Sequence, residues 1–446
     1  MMDNTSKSKV DNPTRRDLVI DRLGNGLVGD PVSEALPGGR SEALDRLHSF
    51  DPTSYGRTRN FIDFPVSGFS PYLRHGMISL VEVRDHLKGR FPNDPARLDE
   101  FLRQLAWRDF FEKVLAWYGR AIEEDLEDPK HSVHRSQRIP LDVLRGDTGL
   151  PCIDGMLEEL YEQGYLHNHA RLWFAAYLCH FRGVRWQEGA RLFRQYLYDG
   201  DIASNSASWQ WVEGTFAAKP YFMNKENIAK FSGSLWCENC RVKCPFDADY
   251  PSLQNRLFSG SKAPLESSVP QKMLTSEPLA NFEENEEPGF VPPSHNLVWV
   301  HDAAISWADQ ALTRNPDAVV VFVFDEPALK AEPWNSKRFS FVMDGLDDLF
   351  AHLPNPTKLI RVGDPFEQLT ILARKIGAST IHISEHPNTW VVETVQKLQL
   401  SFNVVVHPRP VFATYSQEPK RFSRYWEKVA PEVLGHPVKS SNRMHK

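Results

Sequence analysis

The stretch Asp199–Trp211 reads Asp-Gly-Asp-Ile-Ala-Ser-Asn-Ser-Ala-Ser-Trp-Gln-Trp and gathers side chains that could act on one ligand. Carboxylates can accept hydrogen bonds from hydroxyl groups or hold an arginine, and a carboxamide can face a ring nitrogen. Indoles near a redox-active ring can pass electrons. The same composition also fits a polar loop capped by two packing tryptophans, since polar clusters between periodic segments are usually loops.

A second group of reactive side chains is the run Cys237-Glu-Asn-Cys240-Arg-Val-Lys-Cys244-Pro-Phe. Three sulfurs at such short spacing can face one centre, and thiolates favour iron–sulfur clusters or zinc. A fourth ligand is needed, and free buried thiols are the alternative. The five cysteines are too few for a disulfide framework, so their clustering indicates a reducing compartment.

Four more segments occur in a fixed order around the first stretch. They are Gln104-Leu-Ala-Trp-Arg-Asp-Phe-Phe111, Gly164-Tyr-Leu-His-Asn-His-Ala-Arg171, Arg185-Trp-Gln-Glu-Gly189 and Lys219-Pro-Tyr-Phe222. In order and spacing the series resembles the flavin-binding domain of the photolyase/cryptochrome family, from about Tyr55 to Phe258. The resemblance implies FAD as the cofactor that carries out the difficult chemistry.

The resemblance gives each member of the flavin site a role. Arg171 and Asp199 would form an ion pair beneath the flavin, because a buried guanidinium needs a carboxylate. Asp201 would accept hydrogen bonds from the ribityl chain or the ring, and Asn205 would face flavin N5. The remaining cofactor-binding residues that the resemblance implies are Tyr55, Ser67, Phe69, Ser70, Arg108 and Asn168.

Trp209 and Trp186 match the inner and middle members of the family's tryptophan relay, which carries electrons to the flavin. Residues 121–160 contain no Phe, Trp or Tyr, so the outer member is missing. We therefore expect slow photoreduction, unless an aromatic residue of another segment, such as Trp173 or Tyr177, supplies the third step.

The pocket in which photolyases hold damaged DNA is matched in part. Trp107, Trp211, Asn168 and Arg59 agree with enzymes that act on cyclobutane pyrimidine dimers. Gln104 stands where those enzymes usually have a glutamate that touches the dimer. The lesion contacts are therefore weakened, although the overlapping chemistry is retained.

Three functions stay open on this basis. The first is a DNA photolyase that repairs cyclobutane dimers in UV-damaged DNA, with single-stranded DNA among its substrates, by electron transfer from excited reduced FAD. The second is a cryptochrome-like blue-light photoreceptor that acts on a protein partner without repair. The third is a flavin and iron–sulfur electron-transfer protein.

The iron–sulfur branch of bacterial photolyases has a Cys-x-x-Cys array followed by Cys-Pro-Phe, together with one distant cysteine. Cys152 occupies the position of that distant cysteine. The resemblance thus implies a 4Fe-4S cluster on Cys152, Cys237, Cys240 and Cys244. The gap before Cys244 is shorter than in that branch, and zinc or free thiols stay open.

The chain has 446 residues, a net charge of −6 and an ordinary globular composition. We expect a cytoplasmic protein without membrane contact, because no apolar run approaches the ~18 residues that span a bilayer and the start is polar. The acidic balance argues against a generally basic nucleic-acid binder, but a local basic groove stays possible.

The composition divides the chain into five segments. We expect a flexible arm over 1–45, a helical FAD-binding domain with the iron–sulfur site over 46–258, a Ser/Pro/Glu-rich linker over 259–295, an α/β domain over 296–435 and a tail over 436–446. In the helical domain we predict helices over Leu80–Leu87 with Ser79 as N-cap, Leu98–Leu126, Gly164–Phe181 and Trp186–Tyr198.

Beyond the linker, short β-branched runs begin near residues 297, 318, 358, 380 and 403. They alternate with helical patterns at 303–313, 337–353, 364–377 and 389–400, which predicts a doubly wound parallel sheet. The region resembles the photolyase antenna domain, with a possible antenna chromophore of unknown identity. In the family that domain precedes the helical one, so the reversed order here is that of a circular permutant.

Overall fold

The computed structural model describes residues 14–29, 35–130, 135–233, 235–259 and 295–436. Helices occupy the first part of the chain, and a parallel sheet with flanking helices follows from residue 296. The predicted helical region and parallel α/β region are thus confirmed. The linker predicted over 259–295 and the tail predicted over 436–446 lie almost wholly outside the described residues. Within those residues no helix combines the length and the apolar character that crossing a bilayer requires.

The helical region consists of short helices around one long helix, α6. Its helices are α1 (Arg15–Leu23), α2 (Arg40–Ser49), α3 (Tyr55–Thr58), α4 (Ser70–Arg74), α5 (Leu80–Arg90), α6 (Asp99–Tyr118), α7 (Leu141–Leu144), α8 (Pro151–Gln163), α9 (Asn168–Ala176), α10 (Trp186–Tyr196), α11 (Ala207–Glu213), α12 (Lys225–Ser232) and α13 (Tyr250–Phe258). Two π-helical turns, Tyr177–Phe181 and Ile202–Ser206, extend α9 and precede α11.

Local sequence signals explain most of the boundaries. Ser79 caps α5 as predicted, since its hydroxyl accepts from the amide of Glu82 at 3.1 Å and the Glu82 carboxylate accepts from the Ser79 amide at 2.8 Å. The long helix ends at Tyr118 and not at Leu126, because Gly119 adopts a φ of 54° and a 3₁₀ turn follows. The predicted helix Gly164–Phe181 begins only at Asn168, where the His167 side chain accepts from the His169 amide.

The N-terminal arm is the clearest correction within this region. Arg15–Leu23 forms a capped helix that buries Val19 and Leu23, and the next residues form strand β1 (Leu27–Val28), which pairs with β4 (Trp334–Asn335). The expectation of a loosely ordered arm is therefore wrong for these residues. A capping box at Thr14 and apolar residues four positions apart, Val19 and Leu23, favour the helix.

The sheet has five parallel strands in the order β5-β3-β2-β6-β7. They are β2 (Asn296–Val300), β3 (Val319–Asp325), β5 (Lys358–Gly363), β6 (Thr380–Ser384) and β7 (Asn403–His407), with α14 (Gln310–Thr313), α15 (Glu326–Ala331), α16 (Ser336–His352), α17 (Pro365–Lys375), α18 (Thr389–Gln399) and α19 (Phe422–Leu434) around them. Alternate residues of β2 and β3 face two different cores, and one of these cores is shared with the helical region.

The helix predicted over 303–313 is reduced to Gln310–Thr313. Residues before it are held by the helical region instead, because the Ile305 amide donates to the carbonyl of His75 at 3.0 Å. Asp309 then caps the short helix, accepting from the Ala311 amide at 2.8 Å. A tertiary contact therefore overrides the helical pattern of this segment.

The C-terminal helix α19 packs along α6. Phe422 stacks on Trp107 with ring centroids 3.7 Å apart and an interplanar angle of 10°. One turn further, the Tyr425 hydroxyl donates to the buried carboxylate of Asp109 at 2.5 Å. The chain thus closes on itself, with its last described helix against the central helix of the helical region.

Asp109 makes this junction sensitive to pH. Burial raises the pKa of its carboxyl from 3.8 to about 6. The carboxyl therefore favours folding when protonated, and this contribution is lost as the pH rises through about 6. We expect Asp109→Asn, which can still accept from Tyr425, to gain up to about 3 kcal/mol over the native protein near pH 8 and little near pH 4. Urea denaturation at both pH values tests this, and an equal loss of stability at the two would contradict it.

Candidate functional site

The ion pair between Arg171 and Asp199 forms as predicted, with 3.0 Å between Nη1 and Oδ1. Arg171 lies in the first turn of α9, and Asp199 lies in the loop after α10. Burial alone would raise the pKa of Asp199, but the Arg171 guanidinium and the Ser70 hydroxyl outweigh it and hold the pKa below its ordinary value. Ser70 of α4 therefore belongs to the same polar group as the ion pair.

Asp201 forms the second polar contact of the site. Its Oδ2 lies 3.2 Å from Nη2 of Arg108 on α6, and its Oδ1 accepts from the Ser204 amide at 2.6 Å. The second contact caps the π-helical turn Ile202–Ser206, on which Asn205 lies. The Asn205 Nδ2 donates to the carbonyl of Ala190 on α10 at 2.7 Å, which fixes the orientation of the carboxamide.

Not every predicted cofactor residue lies among these polar contacts. Phe69 and Tyr55 join an aromatic cluster around Phe101, with ring centroids 6.2 Å and 5.0 Å from it. Burial raises the pKa of Tyr55 to about 12, so its hydroxyl stays protonated. Ser67 directly precedes Gly68, which has a φ of 65°, and Asn168 is the first residue of α9.

Helix α10 carries one of the two predicted relay tryptophans and packs against the other. Trp209 is buried directly over Gly189, where a Cβ would lie 2.1 Å from the indole Cη2. A side chain at position 189 would therefore displace the indole. Trp186, at the start of the same helix, donates its indole N–H to Oδ1 of Asp125 at 2.7 Å. Sequence reasoning did not identify Asp125, because the loop that carries it has no motif.

The residues predicted to contact a DNA lesion lie in two separate parts of the helical region. Gln104 donates from Nε2 to Glu100 at 2.8 Å, and Arg59 pairs with the same glutamate at 2.9 Å. Trp107 lies one turn further along α6 and carries the Phe422 ring on one face. Trp211 instead approaches Tyr221, with ring centroids 5.5 Å apart.

The four cysteines Cys152, Cys237, Cys240 and Cys244 line one small cavity. Cys152 comes from the first turn of α8, and the other three come from the loop before Phe246. All are free thiols, and burial raises the pKa of Cys152 to about 12. Among the described residues, no group of three or more His, Cys, Asp or Glu side chains is positioned to hold a metal ion.

A larger cavity of about 440 Å³ lies between the helical region and the sheet. It lies at the carboxyl ends of β2, β3 and β6, and the connections of β2 and β6 leave the sheet in opposite directions, which is the usual position of ligands in such sheets. Four arginines line it, Arg74, Arg120, Arg194 and Arg338. Arg74 pairs with Asp302 at 2.7 Å.

Arg338 is the most unusual of the four. It is 2% exposed, it donates from Nη1 to the Arg194 carbonyl at 3.0 Å, and it stacks on Trp334 at 4.1 Å. Its Nε has no hydrogen-bond partner among the described residues. Burial and the neighbouring Arg74 lower its pKa to about 9. Sequence reasoning did not predict this cavity, because its arginines come from four separate segments of the chain.

Comparison with known proteins finds relatives of the helical region. Residues 101–235 match the family model of the FAD binding domain of DNA photolyase. A deoxyribodipyrimidine photo-lyase of Streptomyces griseus is 40% identical over 153 residues, which are 34% of this chain and 32% of that protein. A photo-lyase of Agrobacterium fabrum is 31% identical over 192 residues, covering 41% and 40%. Cryptochrome DASH of Danio rerio is 33% identical over 210 residues, covering 44% and 40%.

The chain therefore spans between a third and two fifths of the length of these relatives. The matches support a relationship to the photolyase/cryptochrome family. The family model covers residues 101–235, and this range contains the Arg171–Asp199 and Arg108–Asp201 contacts together with both relay tryptophans.

The contribution of the Arg171–Asp199 pair to stability can be tested directly. Asp199 is 5% exposed and Arg171 is 22% exposed, so Asp199→Ala would leave a largely buried charge and cost about 3 kcal/mol of unfolding free energy. The double variant Arg171→Met/Asp199→Leu should lose less unfolding free energy than Asp199→Ala, because it leaves no unpaired buried charge. Glu393→Ala, at an exposed pair with Arg120, is the matched control and should cost less than about 1 kcal/mol. Denaturant titration distinguishes these outcomes, and equal losses in Asp199→Ala and Glu393→Ala would contradict the assignment.

Proposed function

We propose that this chain is a light-dependent flavoprotein that repairs cyclobutane pyrimidine dimers in UV-damaged DNA by electron transfer from excited reduced FAD. One observation carries the proposal. The Arg171–Asp199 and Arg108–Asp201 contacts converge with Asn205 inside the segment that matches the FAD binding domain of DNA photolyase. Relatives named deoxyribodipyrimidine photo-lyase support the activity.

The polar groups of this site fit FAD. Arg171 and Asp199 would lie beneath the ring system, Asp201 would bind the ribityl chain, and the hydroxyls of Ser67 and Ser70 would contact the diphosphate. The Ser204 hydroxyl is buried without a hydrogen-bond partner among the described residues, as expected of a group that contacts a ligand. When bound, FAD supplies the light absorption and the electron transfer.

Asn205 has a defined part in this arrangement. Because its Nδ2 already donates to Ala190, its Oδ1 is the atom left to accept a hydrogen bond from the N5–H of reduced flavin. The carboxamide would therefore favour reduced FAD over the oxidised form. An aspartate at this position could accept equally well, but its negative charge would oppose a reduced, electron-rich ring.

The lesion would bind beside Trp107 and Gln104 of α6. Arg59 and Arg103 lie next to Gln104 and both pair with Glu100, at 2.9 Å and 3.5 Å. These arginines can exchange the carboxylate for DNA phosphates, which fits a nucleic-acid surface on a chain of net negative charge. Single-stranded or flipped dimers are the substrates that reach such a pocket at the lowest cost.

A cryptochrome-like photoreceptor without repair is the second candidate, and one observation favours it. Phe422 of α19 covers one face of Trp107, the indole on which a dimer would stack. The Gln104 side chain is also engaged by Glu100 and does not provide the carboxylate expected of a dimer contact. The likeness to a cryptochrome DASH is consistent with this alternative.

Illumination of the FAD-loaded, reduced protein with dimer-containing oligonucleotides tests the proposal. We expect light-dependent restoration of thymines in single-stranded and duplex substrates. Trp107→Ala should weaken substrate binding about tenfold or more, because base–aromatic stacking contributes about 1–3 kcal/mol. Trp117→Ala removes an exposed indole from the same helix and should have no effect. If protein that retains reduced FAD does not repair the dimers, the proposed repair activity is wrong and the photoreceptor is favoured.

The cysteine cavity supports a second cofactor, a 4Fe-4S cluster on Cys152, Cys237, Cys240 and Cys244. Zinc, the other metal that these thiolates could bind, would need them about 2.3 Å from one point. A four-iron cube is larger and accepts ligands that are further apart. Without a metal, burial raises the pKa of the Cys152, Cys237 and Cys244 thiols, so cluster binding would release protons.

Chemical analysis of anaerobically prepared protein tests the cluster. We expect iron and sulfide at about four each per chain. Cys240→Ala should lose most of the iron and unfold at lower temperature, because the cluster joins α8 to the loop of residues 237–244. Cys179→Ala, at a buried cysteine outside the cavity, should keep its iron. Stoichiometric zinc without iron would contradict the cluster.

We also propose that the helical and α/β regions are the two domains of photolyases in reversed order, which would make the chain a circular permutant. The cavity between the regions would hold an antenna chromophore. Because Arg338 is buried beside Arg74 and lacks a partner at Nε, a chromophore that carries an anionic group fits this cavity better than a neutral one.

A further inference from the structure

The hydrogen bond from Trp186 to Asp125 joins a buried redox side chain to solvent. Trp186 is 2% exposed, and its indole N–H donates to the Asp125 carboxylate at 2.7 Å. Asp125 itself is exposed. A proton that leaves the indole nitrogen therefore has a direct acceptor, and from this acceptor it can pass to bulk water.

The position of Asp125 is fixed by the helix that carries the other relay tryptophan. Gln210 follows Trp209 on α11 and is fully buried. Its Nε2 donates to the carbonyl of Ile122 at 2.8 Å, and its Oε1 accepts from the amide of Leu126 at 2.9 Å. These two bonds hold the loop on both sides of Asp125, so its carboxylate is preorganised against the indole.

We propose that Asp125 is the proton acceptor of Trp186 during flavin photoreduction and makes Trp186 the last station of the electron relay. This inference rests on the proposed function. One electron passes from Trp209 to the light-excited oxidised flavin, and one electron then passes from Trp186 to Trp209. The N–H bond of Trp186 breaks, its proton binds to the Asp125 carboxylate, and a neutral indolyl radical remains.

Proton loss solves the problem that the missing third aromatic residue creates. An indole radical cation is a strong acid and a strong oxidant, so without proton loss the electron returns quickly. After deprotonation the return electron must be accompanied by a proton, which slows recombination. A carboxylate in direct hydrogen-bond contact is the general base that this step requires.

The other candidate donors lack such an acceptor. Trp173 donates its indole N–H to the neutral amide oxygen of Asn227 at 3.0 Å. The Tyr177 hydroxyl accepts from Arg182 at 2.8 Å, and the positive charge beside it opposes its oxidation. Glu213 is a buried acid whose charge interacts with that of Asp125. Burial raises its pKa to about 7, and its carboxylate pairs with Arg135.

Asp125→Asn separates proton acceptance from hydrogen bonding, because the amide oxygen can still accept from Trp186 but is not basic. Time-resolved absorption of the FAD-loaded protein distinguishes the cationic indole radical from the neutral one. In the native protein we expect the neutral radical, formed more slowly in D₂O. In Asp125→Asn we expect deprotonation about 10²-fold slower, a persistent cationic signal and a lower yield of reduced flavin under steady blue light.

Two controls define the outcomes. Glu124→Gln changes an exposed carboxylate on the same loop and should behave as the native protein does. Trp209→Phe should abolish both radical signals while FAD stays bound. If Trp209→Phe blocks photoreduction but Asp125→Asn forms the neutral radical at the native rate, the proton-acceptor role is refuted. If Trp209→Phe leaves photoreduction unchanged or no FAD is bound, the proposed relay itself fails.

Discussion

The Arg171–Asp199 ion pair joins the start of α9 to the polar stretch after α10, and much of the candidate site depends on it. A largely buried guanidinium is costly unless a carboxylate faces it, so the pair fixes where Asp199 must lie. Asp201 is then placed to meet Arg108 of α6 and to cap the π-helical turn that carries Asn205. One electrostatic requirement thus positions three successive functional groups.

Helix α10 connects the functional features to one another. Its first residue is Trp186, Gly189 gives room for the Trp209 ring, and the Ala190 carbonyl orients Asn205. Near its end, Arg194 reaches the cavity between the two regions and pairs with Glu332 of the α/β region. A single rigid helix therefore fixes the relay, the carboxamide beside the flavin position and one wall of the larger cavity.

The junction between the helical and α/β regions is polar as well as apolar. Arg74 pairs with Asp302, and the two ring nitrogens of His75 lie 2.8 Å from the Asp302 carbonyl and 3.1 Å from that of Tyr198. Because one core is shared between the regions, the sheet and the helices stabilise each other. The same closeness brings α19 onto Trp107, where packing and lesion binding would compete for one aromatic face.

Much of this protein could be predicted from the sequence, because local signals determine it. The period of apolar residues predicted the parallel strands, Ser79 predicted a helix start, and the polar run Asp199–Trp211 predicted a ligand site. The resemblance to the photolyase/cryptochrome family added Arg171 to that site. The ends of helices were predicted less accurately. Helix α6 stops before Gly119, and the predicted helix 303–313 is shortened because Ile305 bonds to His75.

Tertiary structure alone decided the contacts between segments distant in sequence. Asp125 meets Trp186 across 61 positions and Phe422 meets Trp107 across the two regions, and neither contact follows from periodicity or spacing. The physical reason is that a propensity or a cap acts within a few residues, whereas a hydrogen bond or stacked pair depends on how whole helices pack. The sequence determined which groups could do chemistry, and packing decided which of them have a proton acceptor, a covering ring or a counter-ion.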